Sequence, residues 1–125
     1  MSPALISLLV TVVFFVVSIV FGFRLGHSSK PYPKLLLSAH ILMFFVIAYG
    51  IGECLTRMQG ATNDTSLAKV ALLVALGALW ASLASGIVML CLKQKHRGWI
   101  LAHKLTMFLI ALSFAAAGIF LALKR

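Results

Sequence analysis

Four stretches of this chain carry no Asp, Glu, Lys or Arg: residues 1–23, 35–52, 70–92 and 105–123. That spacing constrains the fold more than any other feature. A helix needs about 20 mostly apolar residues to cross a bilayer. Each run reaches or approaches that length, and backbone groups in lipid must be satisfied within the segment itself. The sequence therefore predicts four membrane helices, over about 4–23, 34–56, 67–92 and 98–123. They make up one all-α domain, an integral membrane four-helix bundle spanning 1–125. The chain is 62% hydrophobic with a mean hydropathy of +1.11, more apolar surface than a soluble domain of this size hides. The first run lacks a basic leader and a clear small-x-small cleavage site before Arg24, so it is expected to be a retained helix rather than a secretion signal.

The net charge of +9 does not point to nucleic acid, because the cations sit at helix ends. Arg24, Lys30 and Lys34 lie in or beside the first loop. Lys93, Lys95 and Arg97 lie in the third, and Lys104 follows within about two turns. The opposite side has Arg57, Lys69, Lys124 and Arg125, partly offset by Glu53 and Asp64. The positive-inside rule then makes loops 24–34 and 93–98 cytoplasmic, in a membrane such as the bacterial inner membrane, with both termini outside. Glu53 and Arg57 have the spacing of a surface ion pair. Cys54 and Cys91 fall near opposite membrane faces, too far apart to pair, and are expected as small packing residues. Asn63-Asp64-Thr65 matches a glycosylation sequon, a short pattern frequent by chance.

An internal repeat adds a second constraint. With His40 set against His103, Ala39 meets Ala102, Leu42 meets Leu105, Phe45 meets Phe108, Ile47 meets Ile110 and Ala48 meets Ala111. The chain reads as two tandem helical hairpins, 1–56 and 67–123. Helices two and four both start at the basic side, after Pro33 and Gly98, and so run parallel. Both imidazoles fall about 8–10 Å below those helix starts. A pseudo-twofold axis along the membrane normal would point them at each other.

Ionisable residues inside a membrane mark functional sites by default. Two neutral imidazoles at one depth suit the axial positions of a haem iron. Leu36, Phe44, Ile47, Trp99, Met107 and Ile110 share the histidines' faces at helical spacing and would contact the macrocycle. Lys30, Lys34, Lys93, Lys95, Arg97 and Lys104 would neutralise its propionates. Small residues in helix three (Ala78, Ser82, Gly86), helix two (Ala48, Gly52) and helix four (Ala111, Ala115, Gly118) permit close approach or room for a flat ligand. Helix one, with its bulky run from Val12 to Val17, reads as lipid-facing or as a docking surface for another subunit. His103 with Met107, and His40 with Met43, have copper-compatible chemistry, although methionine in an apolar helix is usually filler. His27 and His96 read as solvated loop residues. No constellation for hydrolytic catalysis is present.

With its histidine pair and four spans, the chain resembles the four-helix membrane b-type cytochromes. The resemblance implies haem b, held between helices, and electron exchange with a quinone or a neighbouring redox subunit rather than a stand-alone enzyme. Members of that class commonly hold two haems with four histidines. Here only His40 and His103 lie within spans, so one haem is expected, near the cytoplasmic side. The expected partners are the lipid bilayer, a quinone, and other membrane redox subunits or further copies of the chain in a homo-oligomer; the alternative functions are a non-catalytic accessory subunit of a larger membrane complex and a small transporter.

Overall fold

The computed structural model describes residues 3–28, 32–59, 66–92 and 96–123. Four helices account for nearly all of them: α1 (Pro3–Gly26), α2 (Lys34–Gln59), α3 (Ser66–Cys91) and α4 (Arg97–Leu123). All four are long and apolar enough to cross a membrane. They begin and end close to the predicted bounds, but α1 and α2 run three residues further. Arg24 and Arg57 therefore sit on helical turns rather than in loops. The Glu53–Arg57 pair forms at 3.5 Å, and the Tyr49 hydroxyl also donates to Glu53. The sequon at 63–65 and Lys30, Lys93, Lys95, Lys124 and Arg125 lie outside the described residues.

One rule sets the packing. Going down α2, the inward positions are Leu37, His40, Phe44, Ile47, Ile51, Cys54 and Met58. Going down α4 they are Ile100, His103, Met107, Ile110, Phe114, Ala117 and Leu121. The steps alternate strictly between three and four residues. In α1 the series is Ala4, Leu8, Thr11, Phe15, Ser18, Gly22 and Leu25, and in α3 Ala68, Leu72, Ala75, Leu79, Ser82, Gly86 and Met89. A 3.5-residue period keeps one seam facing a neighbour along a left-handed bundle. The α1 series maps onto α3 at a constant offset of 64, and the α2 series onto α4 at 63. The repeat is thus carried by the buried positions of all four helices.

The α1 and α2 helices pack closely along their length, as do α3 and α4. The hairpins then meet through α2 against α3 and α1 against α4. The α2 and α4 helices are diagonal, so their inward side chains meet only through the middle of the bundle. In the half away from the histidines the core is closed: Leu8, Ile51, Cys54, Met58, Leu72 and Ala117 are all essentially inaccessible. Phe15 and Phe114 meet edge to face at 5.4 Å, and the Cys54 thiol donates to the Ala4 carbonyl at 3.2 Å. The outward faces are almost wholly apolar, with Val13, Phe45, Leu105 and Phe108 among the exposed side chains, as contact with lipid requires.

Several expectations are corrected by the seam. Helix one is not simply an outer helix: Val13 and Val16 face out, but Leu8, Thr11, Phe15 and Ser18 are buried. Bulky apolar residues occur on every side of it, and only the phase of the seam reveals the inner face. Gly52, Ala111 and Ala115 lie off the seam and are exposed, so they create no internal room. Cys91 is exposed rather than packed, whereas Cys54 is buried.

Candidate functional site

Above the closed core, at the end where α2 and α4 begin, the bundle opens into a cavity of about 350 Å³. Its wall repeats the pseudo-twofold: Ser18 and Ser82, Gly22 and Gly86, His40 and His103, Phe44 and Met107 line it in matched positions. The volume is in the range of small-molecule and cofactor sites, about 300–1,000 Å³. The lining is chiefly aliphatic and aromatic, with a few polar groups converging on the middle.

His40 and His103 face each other across this space, with ring centroids 6.3 Å apart and planes inclined at 63°. Each ring turns Nδ1 towards the other helix of its own hairpin. His103 Nδ1 lies 3.0 Å from the Ser82 carbonyl oxygen and 3.0 Å from the Ser85 hydroxyl. His40 Nδ1 lies 3.4 Å from the Ser18 hydroxyl, and the Ser18 backbone is a further hydrogen-bond partner of the residue. A carbonyl only accepts, so His103 must carry its proton on Nδ1. Its Nε2 lone pair is then free. This is the arrangement in which metal-binding imidazoles occur, one ring nitrogen fixed by a backbone carbonyl and the other left for the metal.

Glycine makes the rings fit. A Cβ on Gly22 would stand 3.0 Å from His40 Cε1, so close that the ring would have to shift by a few tenths of an ångström, whereas one on Gly86 would stand 3.6 Å from His103 Cε1, an ordinary contact. The pattern is serine, three residues, glycine in both α1 (Ser18–Gly22) and α3 (Ser82–Gly86). The serine anchors the imidazole of the following helix, and the glycine a turn later leaves space for it. The α3 half shows in the sequence as a small-residue ridge. Its partner in α1 is hidden by Ile19, Val20 and Phe21, and only the repeat offset of 64 exposes it.

The other sequence-predicted residues divide. Phe44, Met107 and Lys104 line the cavity, as do Ile47 and Ile110. Lys34 and Arg97 are exposed first residues of α2 and α4 and do not line it. Leu36 and Trp99 are one position off the seam, and Leu37 and Ile100 take the places expected for them. Met43 packs against the core instead of entering the cavity. His27 is exposed, as a loop histidine would be, yet it stands at the cavity mouth with Tyr32, its Nδ1–H donating to the Phe23 carbonyl at 2.9 Å. His96 is exposed. Among the described residues no group of three His, Cys, Asp or Glu side chains could hold a bare metal ion. A tetrapyrrole supplies four of the ligands to its iron and asks the protein for only two.

Comparison with family models, curated proteins and solved structures gives no match.

Proposed function

We propose that the chain is a membrane-embedded b-type haem protein that transfers electrons, with one haem held between α2 and α4 by His40 and His103. The supporting observation is the separation of the two rings. Two metal–imidazole bonds of about 2 Å, with the two ring radii, span about 6–6.5 Å between centroids, and the observed distance is 6.3 Å. The Nδ1 contacts to the serines favour the same reading, since they leave Nε2 on the cavity side.

A bound haem b would supply an iron centre that gains and loses one electron. The remaining roles belong to the chain. His40 and His103 would hold the iron and set its coordination. Phe44, Met107, Ile47 and Ile110 would exclude water from the macrocycle, which tunes its potential through the local dielectric. Lys104, which lines the cavity beside His103, and the exposed Lys34 and Arg97 at the starts of α2 and α4 would attract the propionates. The cation-rich end with loops 24–34 and 93–98 is the cytoplasmic one in this reading, which sets the haem near the cytoplasm of a bacterial inner membrane. A quinone or a neighbouring redox subunit would exchange electrons there.

The spectrum of the purified protein tests this. A reducible Soret band of a six-coordinate, low-spin haem is expected. His40→Ala and His103→Ala should each abolish the low-spin form, while His27→Ala and His96→Ala leave it in place. Colourless, monodisperse protein from haem-replete cells, or an unchanged spectrum in both cavity variants, sinks the proposal. The accessory-subunit and transporter readings would then stand, but no observation at the cavity favours them.

A further inference from the structure

The two imidazoles are matched in position but not in how they are held. His103 has two acceptors for one proton: the Ser82 carbonyl and the Ser85 hydroxyl, each 3.0 Å from Nδ1. The Ser85 hydroxyl donates its own proton to the Ser82 carbonyl, also at 3.0 Å. Serine has one proton to give, so its remaining lone pairs face His103 as acceptors. The three groups close a small ring of hydrogen bonds in which every role is fixed. Ser82 and Ser85 are both buried.

His40 has no such ring. Its partners are the Ser18 backbone and the Ser18 hydroxyl at 3.4 Å, and the hydroxyl contact is matched on His103 by the Ser82 hydroxyl, also at 3.4 Å. A hydroxyl can donate or accept, and the contact is long for a hydrogen bond. At the repeat offset of 64, the position equivalent to Ser85 is Phe21, which offers no hydrogen bond. The second clamp exists in one hairpin only.

We infer that Ser85, acting with the Ser82 carbonyl, is a positioning residue that makes His103 the fixed anchor of the pair and leaves His40 as the adjustable, exchangeable partner. The inference rests on the haem reading for its consequence, but the difference between the rings exists without any haem. Groups behind a metal-binding histidine typically change metal affinity 10- to 100-fold when removed. An iron held here would keep His103 and give up His40 first.

Two measurements test it, and the first uses no haem. In ¹⁵N-histidine-labelled protein in detergent, the ring Nδ1–H of His103 should be the single tautomer and should exchange with solvent much more slowly than any ring N–H of His40. Ser85→Ala should raise the His103 exchange rate towards that of His40. Ser82→Ala keeps the carbonyl and should leave it nearly unchanged. Equal exchange for the two rings in the wild type, or no response to Ser85→Ala, overturns the inference. The second measurement adds haem to the purified variants. His40→Ala should retain haem in a five-coordinate, high-spin form that turns low-spin with added imidazole. His103→Ala should retain about tenfold less haem at the same concentration. Equal or reversed retention also overturns the inference. Haem binding by none of the proteins defeats the haem reading alone, and the exchange rates still decide whether the rings differ.

Discussion

At the scale of single residues, the site depends on what stands behind each histidine and on what is missing beside it. The glycines give a sharp test. A methyl group at Gly22 meets the His40 ring at 3.0 Å, whereas one at Gly86 meets His103 at ordinary contact distance. Gly22→Ala should therefore displace His40 and weaken the low-spin spectrum strongly, and Gly86→Ala should do so less. Absorption spectra of the two variants at equal protein concentration check the order. The histidines themselves were legible in the sequence, because an ionisable residue in an apolar run stands out and its recurrence stands out further. Their serine partners were not. Ser18 and Ser82 reach histidines 22 and 21 residues away, across a hairpin, and helical periodicity reports only on neighbours within one helix. Lys34 and Arg97 were legible as cations at the right end, but a charge at the first turn of a helix starts outside the seam and points to water.

At the scale of the helix, the seam decides which residues matter. Leu8 is 1% exposed and Val13 is 60% exposed, although both are bulky aliphatic residues of the same helix. Leu8→Ala should cost about 2–4 kcal/mol through the cavity it leaves, and Val13→Ala less than about 0.5 kcal/mol, read from the denaturation midpoint in detergent. Gly50 faces Thr11 so closely that a Cβ there would collide with the Thr11 hydroxyl. Gly50→Ala should destabilise by about 1–3 kcal/mol, and adding Thr11→Ala should recover much of it. Lack of recovery would mean that the two helices do not meet at this point. Helix existence, order and approximate ends could all be read from charge-free length. The inner face of α1 could not be read from composition, since every side of that helix is apolar. It follows from laying the three-four alternation of α3 over α1, a comparison that the paired histidines invite.

At the scale of the molecule, the histidines belong to different hairpins, and the cavity lies where the hairpins meet. A ligand bridging His40 and His103 would tie the two halves together. Bound haem should therefore stabilise the fold with the logarithm of its excess over the dissociation constant, by about 2.7 kcal/mol at a hundredfold excess. Thermal unfolding across a haem titration measures it, and an unchanged midpoint at saturation would contradict a bridging ligand. The topology also offers a native reporter of orientation. Cys91 is exposed at the end of α3 nearest the cavity, and Cys54 is buried. In intact cells an impermeant thiol reagent should leave Cys91 unmodified, and should label it once the membrane is opened. Labelling of intact cells would reverse the proposed sidedness.

The rings lie six residues into α2 and α4, about 9 Å along helices of about 39 Å, and beneath them the bundle is closed by aliphatic side chains. In a bilayer that geometry divides the electric field unequally. An electron entering the cavity from its open end would traverse only about a quarter of the voltage drop. Its energy would change by about 0.6 kcal/mol per 100 mV, against about 2.3 kcal/mol for a charge carried all the way across. With a haem bound as proposed, the closed lower half of the bundle would act as an insulator, and donor and acceptor would both dock at the open end. Energising the membrane by 100 mV would then shift the redox equilibrium of the proposed haem only about threefold, against about fiftyfold for a charge carried all the way across.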